Sequence, residues 1–343
     1  MTKKGRGQIL GLILQQLNDK SMTASELADS ISSNWDTVKN NLEILEELGL
    51  CKGTTEGKKK TVYKLEQIKY QTDGRTWFGL PITEDQKLIT EKYLGSAKEA
   101  WIRFTDIKPN RTQIEKTVFE MVQIQKEKNV PIGMYLYGPV ALLHPDQSSY
   151  SGFDDHLVES AKDIVNHLKT FKYSKSMIFE LYKRYDMKAH KNKIEFEEAL
   201  MRGVDEDSKV QLIITLNNIL RSYSIDKCIF DKVIVSVQEI LDEYISVISK
   251  LILSNKPDYI NKELREPIID SFSKLWTLLA RIMFLEDMKK YIPTDIIKCS
   301  LARSFVDILK DVELSIDMLF EFIPKKEVKP NPSFAKFVGI AKN

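Results

Sequence analysis

Side chains that can hydrogen-bond to nucleic-acid bases and neutralise phosphates are concentrated in two short segments near the N-terminus. The first segment supplies hydroxyl, amide and ammonium groups from Ser33, Asn34, Thr37, Lys39, Asn40 and Asn41. The second is a run of three lysines, namely Lys58, Lys59 and Lys60. An asparagine amide can pair bidentately with adenine, and a lysine ammonium can neutralise a backbone phosphate. These groups can act together only if the elements that carry them lie on one surface.

The hydrophobic pattern around these segments predicts three helices followed by a β-hairpin. The predicted helices span residues 5–18, 24–31 and 34–48, and the predicted strands span residues 50–53 and 61–65. Thr23 and Glu26 form a capping box before the second helix, Ser33 can cap the third, and Gly49 ends it. Three helices and a hairpin in this order predict a winged helix over residues 1–66.

The third predicted helix would carry the first polar segment on its outer face. Its apolar residues Trp35, Val38, Leu42 and Leu45 are expected to face inward. That leaves the polar N-terminal half toward solvent, with the three lysines at the tip of the hairpin. The second half of the helix is acidic, and basic residues barely outnumber acidic ones over residues 1–75. We therefore expect modest DNA affinity, or glutamates that point away from the duplex.

Residues Thr37 to Leu50 resemble the recognition helix and exit of ArsR- and MarR-like winged-helix regulators. The matching features are the hydroxyl–valine pair at Thr37 and Val38, the polar doublet before Leu42, and the Gly49–Leu50 exit. The resemblance implies sequence-specific binding to double-stranded DNA by a transcriptional regulator that acts as a homodimer. The alternative is a non-enzymatic interaction module that uses the winged helix to bind protein, as an antitoxin or assembly adaptor would.

The rest of the chain predicts a mainly α protein of 343 residues with several units. The expected division is a winged helix at 1–66, a connector at 67–82, a small helical domain at 83–148, a helical bundle at 153–323 and a basic flexible tail at 324–343. Capping boxes at Thr83–Gln86 and Thr112–Glu115 mark the predicted helix starts of the small domain. The bundle would contain long helices joined by short, antiparallel connections.

Several apolar residues fall outside the main hydrophobic stripes of the predicted bundle helices. These residues are Ile234, Ile245, Ile252, Trp276, Met283 and Phe320. They could form a homodimer interface, which would place two winged helices on a two-fold axis. They could equally be buried against the helices at 153–223.

The small helical domain resembles Panacea-type antitoxin domains over residues 112–140. The likeness rests on the helical segment Glu115 to Phe119 and on the later Tyr137-Gly138-Pro139. It implies binding to a partner protein such as a toxin. The alternative is that these aromatic residues only pack a turn against the helices.

Other constellations point away from enzymatic and membrane functions. The four histidines lack metal-ligand spacing, and the three widely separated cysteines are too few for a disulfide framework. No phosphate-binding glycine loop, nucleophile elbow or HExxH motif is present. No long apolar run or cleavable signal is evident. We therefore expect a cytoplasmic non-enzyme that needs no metal or cofactor and has no membrane partner; any small-molecule effector stays unspecified.

Overall fold

The computed structural model describes residues 4–56, 60–66, 72–144, 152–172, 174–221 and 229–324. Most of these residues are helical, with short strands near the N-terminus and long helices toward the C-terminus, as the sequence predicts. None of the described helices combines the length and the apolar character needed to cross a bilayer. The predicted tail at 324–343 lies outside the described residues from residue 325 onward.

The N-terminal unit has the three helices and the hairpin of a winged helix. Its elements are α1 (Arg6–Asp19), β1 (Met22–Thr23), α2 (Ala24–Ser30), α3 (Trp35–Glu47), β2 (Cys51–Glu56) and β3 (Lys60–Leu65). The strands form an antiparallel sheet in the order β1-β3-β2. Thr23 and Glu26 make the predicted capping box. The α3 cap is Asn34 rather than Ser33, because the Asn34 side chain accepts from Thr37 N at 2.7 Å.

The remaining elements follow the predicted helical pattern with local differences. They are α4 (Glu84–Thr105), α5 (Arg111–Gln125), β4 (Ile132–Tyr135), β5 (Gly138–Ala141), α6 (Asp155–Ser160), α7 (Lys162–Leu168), α8 (Ser174–Arg184), α9 (Lys188–Arg202), α10 (Ser208–Arg221), α11 (Asp231–Ser254), α12 (Pro257–Tyr259), α13 (Arg265–Met288) and α14 (Thr294–Phe320). A 3-10 turn spans Trp77–Gly79, and a π-helical turn spans Ile260–Leu264 just before Pro267.

The capping box that the sequence predicts at Thr112–Glu115 is wrong by two residues. Asn110 caps α5 instead: its side chain accepts from Gln113 N at 3.0 Å, and the Gln113 side chain accepts from Asn110 N at 2.8 Å. An asparagine can fill this position as well as a hydroxyl residue can. The box at Thr83 is confirmed, with Gln86 as its partner.

One hydrophobic core joins the winged helix to the long C-terminal helices. It runs without a break from Leu10 and Leu42 in the winged helix to Phe272 in α13 and Leu309 in α14. Helix α1 packs along α14, and α3 contacts α11. The winged helix is therefore held as part of a larger body.

A second core belongs to the middle of the chain. It contains Trp101 of α4 and Val118 of α5, and it also contains Val158 of α6 and Val165 of α7. Helices α6 and α7 thus complete the core of the small helical domain. The division that the sequence predicts near residue 148 does not coincide with the separation between these cores.

Most of the surplus apolar residues of the predicted bundle are buried within the chain. Ile252 and Trp276 are fully buried, and Ile234, Ile245 and Met283 are partly buried against the main core. Phe320 keeps 40% of its surface exposed. Burial within one chain therefore accounts for five of the six residues, and the homodimer stays a prediction.

Candidate nucleic-acid interface

The polar segment predicted to read bases is divided between the interior and the surface. Asn34 and Asn40 are exposed, and Ser33 and Thr37 are partly exposed. Asn41 retains only 2% of its surface, and its Nδ2 donates to Thr37 O at 2.7 Å. The prediction that Asn41 lies on the outer face is wrong, because α3 packs against α1 and also against the distant α11, which local periodicity does not reveal.

Trp35 was expected in the core, and that prediction is also wrong. Its side chain is 50% exposed at the first residue of α3. Val38, Leu42 and Leu45 are fully buried, as predicted. Trp35 lies at the margin of their stripe, and at the helix start it faces a groove instead of a packed neighbour.

A cleft of about 380 Å³ separates the polar face of α3 from the long C-terminal helices. Thr37, Asn40 and Asn41 line one wall of it. The facing carboxylates are Glu239, Glu243, Glu313 and Asp317, and the basic side chains in the cleft are Lys4 and Arg6, of which Arg6 pairs with Glu239. Four carboxylates against two cations make this cleft acidic, which opposes the approach of phosphates to Asn40.

The C-terminal half of α3 is covered by the start of α11. Glu47 accepts from the backbone N–H groups of Lys232 and Val233 at 3.1 and 2.9 Å. Glu43 pairs with the Lys232 ammonium at 2.9 Å. A carboxylate satisfies two otherwise unpaired amides of a helix N-terminus and interacts favourably with its dipole. These contacts hold the acidic half of α3 against the bundle, where a duplex cannot lie along it.

The start of α1 is held in the same way from the other side of the cleft. Glu313 of α14 accepts from Arg6 N at 2.6 Å and from Gly7 N at 2.9 Å. Burial raises the pKa of the Glu313 carboxyl, and these two hydrogen bonds oppose the rise. Gly7 permits the close approach, because a Cβ there would lie 2.8 Å from Lys310 N.

The opposite side of α3 faces an open groove of about 410 Å³ toward the hairpin. Its lining comes entirely from the winged helix, namely Thr23, Ala24, Ser25, Glu26, Trp35, Lys39, Thr61 and Tyr63. Lys39 Nζ donates to Tyr63 Oη at 2.9 Å and lies 3.9 Å from Glu43 Oε1. The hydrogen bond that Lys39 donates to Tyr63 outweighs desolvation and raises the pKa of Lys39, which keeps it cationic.

The three lysines that the sequence predicts at the hairpin tip fall only partly within the described residues. Lys60 begins β3, where it is paired with Glu56 of β2. Lys58 and Lys59 lie outside the described residues, so their contribution stays a prediction. The sequence missed Ser25, Trp35 and Thr61 as groove residues. The polar–aromatic alternation of β3 was the one available signal, because Thr61 and Tyr63 lie on the same face of that strand.

The segment with the Panacea-type likeness forms a β-hairpin whose turn is held by buried side chains. Three side chains donate to its carbonyl oxygens. Lys116 Nζ lies 2.8 Å from Pro139 O, His190 Nε2 lies 2.7 Å from Tyr135 O, and Trp276 Nε1 lies 3.0 Å from Leu136 O. Gly138 has φ +90°, a conformation that favours glycine, and a Cβ there would approach Tyr182 to 2.9 Å. The helix and turn noted in the sequence are therefore in direct contact.

The described histidines, cysteines and carboxylates form no group of three that could hold a metal ion. His156 and His167 are exposed, and the His144 ring contacts the Trp77 ring at a tilt of 50°, with centroids 4.2 Å apart. Cys51 and Cys299 are buried free thiols, and burial raises the pKa of Cys51 to about 12.

Comparison with known proteins adds no family to this description. No protein-family model matches the chain, and neither a curated protein nor a solved structure is similar to it.

Proposed function

We propose that this protein binds double-stranded DNA as a non-enzymatic regulator, and that contact falls on the groove side of α3 and the hairpin. The observation that carries the proposal is the open groove between α2, α3 and β3, whose described lining residues all belong to the winged helix. It offers the Lys39 cation and the Ser25 and Thr61 hydroxyls beside the half-exposed ring of Trp35. Such groups suit contacts to phosphates and to the edges of bases.

The proposed surface differs from the one that the sequence favours. Ser33 and Asn34 directly precede Trp35 in the chain, and we propose that Lys58, Lys59 and Lys60 add contacts to phosphates. Asn40 and Thr37 face the acidic cleft, and Asn41 is buried, so we assign them no base contact. The balanced charge of the groove leaves most of the electrostatic affinity to the hairpin lysines. Each phosphate they neutralise should steepen the dependence of log K on log salt by about 0.9.

Fluorescence anisotropy with a random duplex, at low and at physiological salt, tests the proposal on the full chain. Replacing Lys58, Lys59 and Lys60 with alanine should flatten the salt slope by up to about 3, and Trp35→Ala should weaken binding at both salts. The matched control replaces Lys108, Lys128 and Lys169 with alanine. It removes the same charge from exposed positions in and near the small helical domain. Absence of binding at low salt, or equal loss in both triple variants, would overturn the proposal.

The homodimer belongs to the same proposal. Leu314 and Met318 lie one turn apart on α14 and are 61% and 57% exposed, which supports an apolar contact between copies. Light scattering after size exclusion, at micromolar protein, should give about twice the 39.7 kDa chain mass. A strict monomer with and without DNA would contradict this part alone.

The acidic cleft favours a second candidate function, binding to a basic segment of a protein. Four carboxylates around about 380 Å³ would attract lysine or arginine side chains. If DNA binding is absent, titration with an arginine-rich peptide should show saturable, salt-sensitive binding that Glu239→Gln with Glu243→Gln weakens. Unchanged binding by that double variant would reject this cleft as the protein site.

A further inference from the structure

A separate cavity of about 310 Å³ lies between the β4–β5 hairpin, the start of α5 and the 3-10 turn at Trp77–Gly79. The charged residues in its wall are Arg111, Glu115 and Lys116, and the aromatic residues are Trp77, Tyr135 and Tyr137. Its volume lies at the lower end of the range for small-molecule sites, which run from about 300 to 1,000 Å³. A concave, aromatic wall with a few convergent polar groups is typical of such sites.

Lys116 is the most unusual group in this wall. Its side chain is 1% exposed, and within the described residues its Nζ reaches a single hydrogen-bond acceptor, Pro139 O at 2.8 Å. Burial lowers the pKa of Lys116 to about 8, so the cation still predominates at neutral pH. An ammonium group has three donors, and an under-coordinated buried charge is costly. The arrangement therefore leaves capacity for a further acceptor at the cavity wall.

Trp77 supplies a second, independent sign of a missing partner. Its Nε1 is shielded from solvent and has no hydrogen-bond acceptor among the described residues. The Arg111 guanidinium lies over the Trp77 ring, 4.3 Å from its centroid, and Arg111 Nε is 3.1 Å from Glu115 Oε1. This stacking presents a planar cation next to the planar ring.

The charges of the wall select the charge of an occupant. Among the described residues of the wall, two cations, Arg111 and Lys116, accompany one carboxylate, Glu115, so the positive charges exceed the negative by one. A carboxylate carries one negative charge and matches that excess, whereas a phosphate dianion carries one negative charge too many. The three aromatic residues in the wall offer faces to a flat ring, and Tyr137 is 60% exposed.

We propose that this cavity binds a small aromatic carboxylate. Its carboxylate would accept from Lys116 and Arg111, and its ring would pack among Trp77, Tyr135 and Tyr137. This site is separate from the groove assigned to DNA, so the two proposals can fail independently.

Isothermal titration of the full chain with benzoate and indole-3-carboxylate, each compared with its uncharged amide, tests the proposal. At least one carboxylate should bind with a Kd below about 1 mM, and its amide should bind at least tenfold more weakly, because the amide lacks the charge. Failure of both carboxylates, or equal binding of acid and amide, would overturn it.

Variants test the assignment of the cations. Lys116→Met and Arg111→Gln should each weaken carboxylate binding by about tenfold or more, as loss of a charged hydrogen bond does. Because Lys116→Met also removes the bond to Pro139, its folding is checked by circular dichroism; the partly exposed Arg111→Gln keeps the test valid if Lys116→Met unfolds. Arg103→Gln is the matched control, since Arg103 is similarly exposed but lies outside the cavity. Unchanged affinity in Arg111→Gln would overturn the assignment.

Discussion

In two regions of this protein, side chains join distant segments by hydrogen bonds to backbone groups. One region uses side chains that accept, and the other uses side chains that donate. At the winged helix, the carboxylates of Glu47 and Glu313 accept from backbone N–H groups at the starts of α11 and α1. At the β4–β5 hairpin, Lys116, His190 and Trp276 donate to backbone carbonyl oxygens. The first region is consequently acidic, and the second contains the buried cation of Lys116.

This difference explains why the two regions present surfaces of different charge to a ligand. Carboxylates gathered to cap helix starts also line the cleft beside α3, so they make that face unsuited to phosphates. Donors gathered to hold the hairpin leave a buried ammonium beside an apolar cavity, which favours an anion. In both places a structural requirement sets the charge of the neighbouring surface.

Acid should destabilise the hairpin region most. Burial is the main cause that lowers the pKa of His190 from 6.5 to about 4. The charges of Lys116 and Lys193 lower the pKa further, whereas the hydrogen bond to Tyr135 raises it. The unfolded chain therefore takes up a proton below about pH 6.5, whereas the folded chain does so only near pH 4. The free energy of unfolding should fall by up to about 3 kcal/mol between these pH values, at about 1.4 kcal/mol per pKa unit.

Urea denaturation at pH 7 and pH 4.5 measures this loss. The variant His190→Gln should be less stable at pH 7 and should lose less stability on acidification than the wild type. His156→Gln, at an exposed histidine, should keep the wild-type difference. An equal loss of stability between pH 7 and pH 4.5 in all three proteins would show that His190 is not the acid-sensitive group.

The next largest loss of stability should come from disturbing the close packing of α1 on α14. Gly7→Ala should destabilise the protein by about 1–3 kcal/mol, because its Cβ would meet the Lys310 backbone at 2.8 Å. Gly11→Ala is the control: its Cβ would meet the far end of the Lys310 side chain, which can move. That variant should be neutral or gain up to about 1 kcal/mol from helix propensity. Thermal melts of both variants compare them, and equal losses would contradict the close packing of α1 on α14.

The carboxylate caps should contribute less than the packing. Glu47→Ala should cost about 1 kcal/mol, because two amides at the start of α11 lose their acceptor. Glu43→Ala should cost less, because it removes an ion pair with the exposed Lys232 side chain, and solvent screens such pairs strongly. Chemical denaturation of the two variants ranks them. A larger loss for Glu43→Ala would mean that the ion pair, and not the cap, joins α3 to α11.

The pH dependence of stability at the acidic cleft should be opposite in sign to that at the β4–β5 hairpin. It should also be the smallest of these effects. Because the pKa of Glu313 is raised in the folded state, the folded chain binds its proton more tightly than the unfolded chain. This group therefore contributes stability at low pH that is lost as pH rises from the ordinary glutamate value through the raised one. Glu313→Gln should remove this component, whereas Asp317→Asn, at an exposed position, should keep it. Identical pH profiles for wild type and Glu313→Gln would contradict the raised pKa.

The local elements of the winged helix could be predicted because their signals are close together in sequence. Thr23 and Glu26 stand three residues apart, and Gly49, with φ +70°, ends α3 where an L-residue would be strained. The exposed position of Trp35 and the buried one of Asn41 could not be predicted. Periodicity identifies an apolar stripe, but it does not show which neighbouring helix covers its edges.

Local patterns in the sequence were enough to predict the winged helix, the long helices and the residues that could carry a nucleic-acid site. Long-range packing sets which side of α3 is open, where the cores separate and that Lys116 faces a cavity. The physical reason is range: a cap or a turn needs partners within a few residues, whereas the bond from Arg6 N to Glu313 joins residues 307 apart. Charge and burial at a surface depend on such distant partners, and no local pattern encodes them.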